Sequence, residues 1–164
     1  MDLGVIITSV IFITLVSLPF LIINRQRKKK ENQLLQSLKD AANQHQCTLT
    51  KVEFCGNYAI GIDESKDFVF FKNKSDQKEN IQFIDLGLVE SCEMTNTERK
   101  IKTIDNAYQV IDQLYLSFVY RAGNGSNIQW VFYHADSHMQ LNGELQSIEK
   151  WLKLIKERLK SKGQ

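Results

Sequence analysis

The residue types best suited to chemistry lie late in the chain, where His134, Asp136 and His138 follow an H-x-D-x-H spacing. Imidazole and carboxylate groups are legitimate metal ligands, and on a continuous strand all three side chains would share one face. The stretch from Ala135 to Ser137 reads as a loop, however, and no fourth ligand is indicated, so a polar strand end is the simpler expectation. Cys92 and His134 could face each other across a sheet, the minimum for an activated thiol. Nothing in the sequence brings them within hydrogen-bond reach, and a buried thiol is expected instead. Asp63 and Glu64 fall in a polar turn, where solvation accounts for them. The chain lacks a glycine-rich phosphate loop, a G-x-S-x-G elbow and an H-E-x-x-H pair. No catalytic residue, cofactor or metal site is assigned, and the chain is read as a non-enzyme.

Cys47, Cys55 and Cys92 are odd in number and include no C-x-x-C pair. That disfavours a disulfide framework or a structural zinc and suits free thiols in a reducing compartment. Lys72, Lys74 and Lys78 form a small basic cluster diluted by Asp76 and Glu79, expected to be a solvated loop.

The elements that would position these groups follow from periodicity. Leu34, Leu35, Leu38, Ala41 and Ala42 recur at three and four, giving an amphipathic helix over 31–46. The period then changes to two. Val52 and Phe54 share a face, Gly56 and Asn57 mark a tight turn, and Tyr58, Ile60 and Ile62 share the next face. Short strands are expected over 68–72, 81–85 and 89–95, whereas 96–112 shows no clean period and is read as a long excursion to which no element is assigned. Leu114, Leu116, Phe118 and Tyr120 alternate, Asn124 and Gly125 give a strong turn dipeptide, and Ile128, Trp130 and Phe132 alternate again. Asn142 is a good N-cap for a last helix, whose stripe is Leu145, Ile148, Trp151, Leu152, Ile155 and Leu159. Lys150, Lys153, Lys156 and Lys160 lie away from that stripe.

At the other end, Leu3 to Ile23 carries no charge. As a helix it spans roughly 31 Å, the thickness of a hydrocarbon core of about 30 Å. Arg25, Arg27, Lys28, Lys29 and Lys30 follow at once, whereas only Asp2 precedes. That order suits an uncleaved anchor rather than a signal peptide. It predicts a single-pass protein of the plasma (inner) membrane, with the N-terminus outside and the remainder cytoplasmic. Asn73 and Asn124 match the glycosylation pattern but would be irrelevant there. The basic run is a candidate membrane-surface contact, and Gly4 and Thr8 are spaced for helix pairing in a homodimer. Without that run and Asp2, acidic residues outnumber basic ones, which argues against a nucleic-acid partner. Three segments result: an anchor over 1–24, a basic neck and amphipathic helix over 25–47, and a soluble α+β domain over 48–164.

Seven strands closed by one amphipathic helix, with Trp151 in that helix, resemble the pleckstrin-homology (PH-like) superfold over roughly 48–160. The resemblance implies a barrel of two orthogonal sheets whose open end the helix caps. An open antiparallel sheet with the helices on one face is the alternative. Lipid-binding members carry basic residues around the first hairpin loop, but Phe54–Tyr58 (FCGNY) is uncharged, so no head-group residue carries over. The expected function is a membrane-tethered interaction or scaffold module for another membrane-associated protein. The alternative is a lipid head-group sensor using the neck and loop lysines.

Overall fold

A computed structural model describes residues 3–73, 81–102, 107–121, 126–137 and 140–162. The chain divides into two units, Met1–Gln36 and Ser37–Gln164, a boundary earlier than the one expected at residue 48. The described residues of the first unit, from Leu3, are all helix, the opening part of α1 (Leu3–Gln44). Arg25, Arg27, Lys28, Lys29 and Lys30 are all exposed on it, and Arg27 pairs with Glu31 one turn on at 3.1 Å.

The single-pass expectation is corrected here. Among the described residues no helix is long and apolar enough to cross a membrane. The inner-membrane placement and its orientation therefore lose their basis.

The second unit is α+β. β1 (Lys51–Cys55), β2 (Tyr58–Asp63), β3 (Phe68–Asn73) and β4 (Gln82–Asp85) form one antiparallel meander. A single 3-10 turn, Leu86–Leu88, capped by the Asp85 carboxylate accepting from the Gly87 amide at 2.7 Å, leads into the second sheet. That sheet is β5 (Val89–Lys102), β6 (Ala107–Tyr120) and β7 (Ile128–His134), again antiparallel in chain order. Helix α2 (Glu144–Lys162) closes the chain. The expected closed barrel is overturned: the hydrogen-bond ladders form separate sheets of four and three strands, and among the described residues no ladder joins β4 to β5 or β1 to β7. α2 consequently does not cap a barrel mouth but lies chiefly against β5.

The described residues of the 96–112 stretch, 96–102 and 107–112, are regular strand. β5 and β6 pair from Val89 with Tyr120 out to Lys102 with Ala107, whereas β7 accompanies β6 only from Gln113 to Phe118. The register shift at Thr97/Glu98, where Asp112 is the extra residue on β6, interrupts the alternation and hides the strands from a period-two search.

The core lies between the sheets. Ile60, Ile62, Val69 and Ile84 from the first meet Leu114, Leu116, Phe118 and Trp130 from the second, all essentially sealed from solvent. Phe71 stacks on Trp130 with ring centres 5.1 Å apart, and Tyr58 leans on Phe132 at 4.5 Å. Ile148, Trp151 and Ile155 are buried in the same cluster, with Leu145, Leu152 and Leu159 packed at its margin. The other face of the first sheet is covered too. Phe68, Phe70 and Phe83 sit there with the His45 ring 4.0 Å from Phe83, and Leu38 and Ala42 are buried. β2 is buried at every position because both its faces are packed.

Candidate functional site

A concavity of this unit lies between β1 and α2. Its geometry starts at the tight turn. Cys55 pairs with Tyr58 across a two-residue loop, Gly56 and Asn57, and Gly56 takes a φ of +50°, a conformation cheap for glycine alone. A Cβ there would also collide with the Glu144 carboxylate. Glu144 is 2% exposed although it opens α2, and its carboxylate accepts from the Asn142 amide. α2 thus begins at Glu144, after Gly143 at φ +99°, rather than being capped by the side chain of Asn142. This glutamate ties the helix start to the first hairpin.

The turn also fixes which backbone groups of β1 are used. A two-residue hairpin makes its closing residues a hydrogen-bonded pair, and such pairs alternate along an antiparallel ladder. Cys55, Glu53 and Lys51 therefore bond to β2, while the N–H and C=O groups of Val52 and Phe54 point to the opposite edge. β1 is an edge strand among the described residues, so that edge is open. The side chains of Val52 and Phe54 share a face with Gly61 and Ala59, not with Tyr58, Ile60 and Ile62. Lys51 and Glu53 therefore turn towards α2.

Beside the open edge runs a cleft of about 710 Å³, lined on β1 by Thr50 to Glu53 and on α2 by Lys150, Trp151, Lys153, Leu154 and Glu157. Ion pairs pin both ends. Lys150 Nζ lies 2.5 Å from Glu53 Oε2, and Glu64 Oε1 takes Lys51 Nζ at 3.0 Å and Arg158 Nη2 at 2.6 Å. Burial opposes ionisation of Glu53, but Lys150, with Ser147 and Trp151, holds its carboxyl below the usual range. Hydrogen bonds from Lys51 and Arg158 do the same for Glu64. The apolar floor is Trp151 and Leu154.

The residues first considered for chemistry are not brought together. Cys92 is buried opposite Phe118, whereas His134 pairs with Gln113, which places them about five residues, roughly 17 Å, apart along the sheet. Burial pushes the Cys92 thiol up to about 12. Both His134 nitrogens are engaged, Nδ1 by the Asp136 amide at 3.2 Å and Nε2 with Gln113 Nε2 at 3.0 Å. Arg99 takes Asp112 at 3.2 Å and Asp136 at 3.4 Å, so these acids serve a polar cluster on β5, β6 and the β7 end. His138 lies outside the described residues, as do Lys74, Lys78, Asn124 and Gly125. Among the described residues no group of three or more His, Cys, Asp or Glu could hold a metal.

Asp63 is the polar residue that its sequence context concealed. It is 1% exposed and accepts from the Thr48 amide at 2.6 Å, from the Ser65 amide and hydroxyl at 2.8 and 2.6 Å, and from the Lys66 amide at 3.1 Å. Burial works against its charge, but these donors outweigh it and bring the carboxyl down to about 2. The D-E-S signature of an Asx turn at 63–65 was the available signal. Its role is to fasten the approach to β1, on which the groove depends. Compared with protein-family models, curated proteins and solved structures, the chain matches none.

Proposed function

We propose that the Ser37–Gln164 unit is a non-catalytic protein-interaction module, which receives an extended segment of a partner along the open edge of β1 beside α2. One observation carries this: the outward edge of β1 at Val52 lies along an apolar-floored cleft flanked by ion pairs. Strand addition uses such an edge for main-chain bonds and the adjoining pocket for side-chain selection.

The test is a peptide-display selection on the full chain and on Val52→Pro. Proline there deletes an outward-pointing donor and leaves the β1–β2 ladder intact. Sequences enriched by the native chain and lost on the variant support the module. A selection that enriches nothing, or one indifferent to Val52→Pro, rejects it.

A further inference from the structure

Which segment fits follows from the charges left over once the groove's internal pairs are subtracted. Glu53 is taken by Lys150, and Lys51 and Arg158 by Glu64. Lys153 has no carboxylate within 4.0 Å among the described residues, and neither have Lys156 and Lys160, which follow it at three and four and so form a row along one side of α2. A second cleft of about 380 Å³ runs along that row. It is lined by Glu149, Leu152, Lys153, Lys156, Glu157 and Lys160, and shares Lys153 and Glu157 with the first. The two clefts therefore adjoin at Lys153 and Glu157. The first has a main-chain edge and an apolar floor, and the second sets an apolar residue, Leu152, among three lysines and two glutamates.

We infer that the occupant is an extended segment of a partner protein with apolar residues alternating over the β1 edge and acidic residues following them along Lys153, Lys156 and Lys160. This rests on the strand-addition reading of the same groove and specifies its ligand. Alternation is required because only every second side chain of an added strand faces α2. The main-chain bonds are indifferent to sequence, so discrimination falls to Trp151 and Leu154 in the first cleft and to the lysine row in the second. The glutamates at 149 and 157 set a register, since carboxylates that do not align with the lysines meet them instead.

The probe is a fluorescein-labelled synthetic peptide of alternating valine and threonine followed by three glutamates, titrated by anisotropy against the full chain. Its companions end in three lysines or three glutamines, and a fourth carries N-methyl groups on alternate amides of the strand portion. The acidic peptide should bind about ten-fold tighter than the glutamine form and still further ahead of the lysine form, with the margin shrinking as salt shortens the screening length. N-methylation should abolish binding on the native protein, a result independent of whether any variant folds. Joint replacement Lys153→Glu, Lys156→Glu and Lys160→Glu, on exposed positions, should invert the order so that the lysine form leads. Equal binding of all three endings, lost on N-methylation, would overturn the acidic specificity and leave strand addition standing. Failure of every peptide would overturn both. Concentration-dependent self-association lost in Val52→Pro, without peptide binding, would assign the edge to a second copy of the chain and likewise overturn the inference.

Discussion

Replacing Asp63 by asparagine isolates a single interaction that the whole entrance to β1 depends on. Oδ2 accepts from the Thr48 amide at 2.6 Å, while Oδ1 gathers the Ser65 amide and hydroxyl and the Lys66 amide. Asparagine keeps one oxygen for the turn but presents an NH2 group to Thr48, setting donor against donor. The loss is one charge-assisted hydrogen bond plus an unsatisfied amide beside a side chain 1% exposed. Together these are worth about 3 kcal/mol. In urea, with tryptophan emission from buried Trp130 and Trp151 as the signal, the midpoint should fall by roughly 1.5 M for a slope of about 2 kcal/mol/M. The pH dependence supplies an internal control. The folded carboxyl titrates near 2, below its ordinary 3.8, so the unfolded chain takes up the proton first as acid is added. The stabilisation is complete above pH 4 or so and is lost as pH falls towards 2. The shift alone corresponds to at most about 2.5 kcal/mol, and solvent at the Ser65 side of the turn reduces that to about 1–2 kcal/mol. Subtracting the Asp63→Asn profile from the native one cancels Glu53 and Glu64, whose carboxyls are also lowered. A midpoint unchanged at neutral pH, or a difference profile flat between pH 4 and 2, would refute the assignment of Asp63 as a structural staple.

Gly56→Ala should destabilise the domain by about 3 kcal/mol in the same urea assay, because it places a Cβ at φ +50° and drives the Glu144 carboxylate off the Asn142 amide; a loss under about 1 kcal/mol would mean the helix start yields freely. Lys150→Met removes the contact with Glu53 at 2.5 Å, but Lys150 is 71% exposed, so the change should stay below about 1 kcal/mol by urea titration. Alkylation at pH 8 followed by peptide mass spectrometry should mark half-buried Cys55 well before Cys92, whose thiol at about 12 exposes only about one thiolate in ten thousand. Equal rates at the two cysteines would show that α2 and the second sheet do not cover Cys92. Equilibrium dialysis against zinc should leave no metal on the His134 end of β7, because both ring nitrogens already have partners; retention of zinc lost on His134→Ala would contradict that.

Much of the architecture was legible where one periodicity acts alone. The stripe from Leu145 to Leu159 marked α2 within a residue or two, and the alternation at Leu114, Leu116 and Phe118 marked the inward face of β6. The distal halves of β5 and β6 were not legible, because the bulge at Thr97/Glu98 shifts the alternation of β6 by a residue and the polar run from Thr95 to Lys100 has no buried face to declare. Closure of the sheets was not legible either. Whether β1 and β7 join is decided by strand twist and bulges, which leave little trace in composition. The charge-free run at the N-terminus was plain in the sequence, yet length and polarity in the described helix decide what it can cross, and there it falls short.

The groove shows why side-chain patterns and backbone availability must be read separately. Val52 and Phe54 looked like core residues because they alternate, but a sheet packed on both faces gives apolar side chains to either side, so alternation could not say which face meets the other sheet. Counting from the turn could. With two residues between Cys55 and Tyr58, parity alone assigns the N–H and C=O groups of Val52 and Phe54 to the free edge. The same parity turns Lys51 and Glu53 towards α2, where charged side chains would be costly in a closed core. Inward charges on an edge strand also discourage indiscriminate pairing. On the proposed reading, an edge guarded in this way, yet left open beside an apolar cleft, accepts a strand only when that strand also satisfies the cleft, and that double requirement is what would separate recognition at β1 and α2 from aggregation.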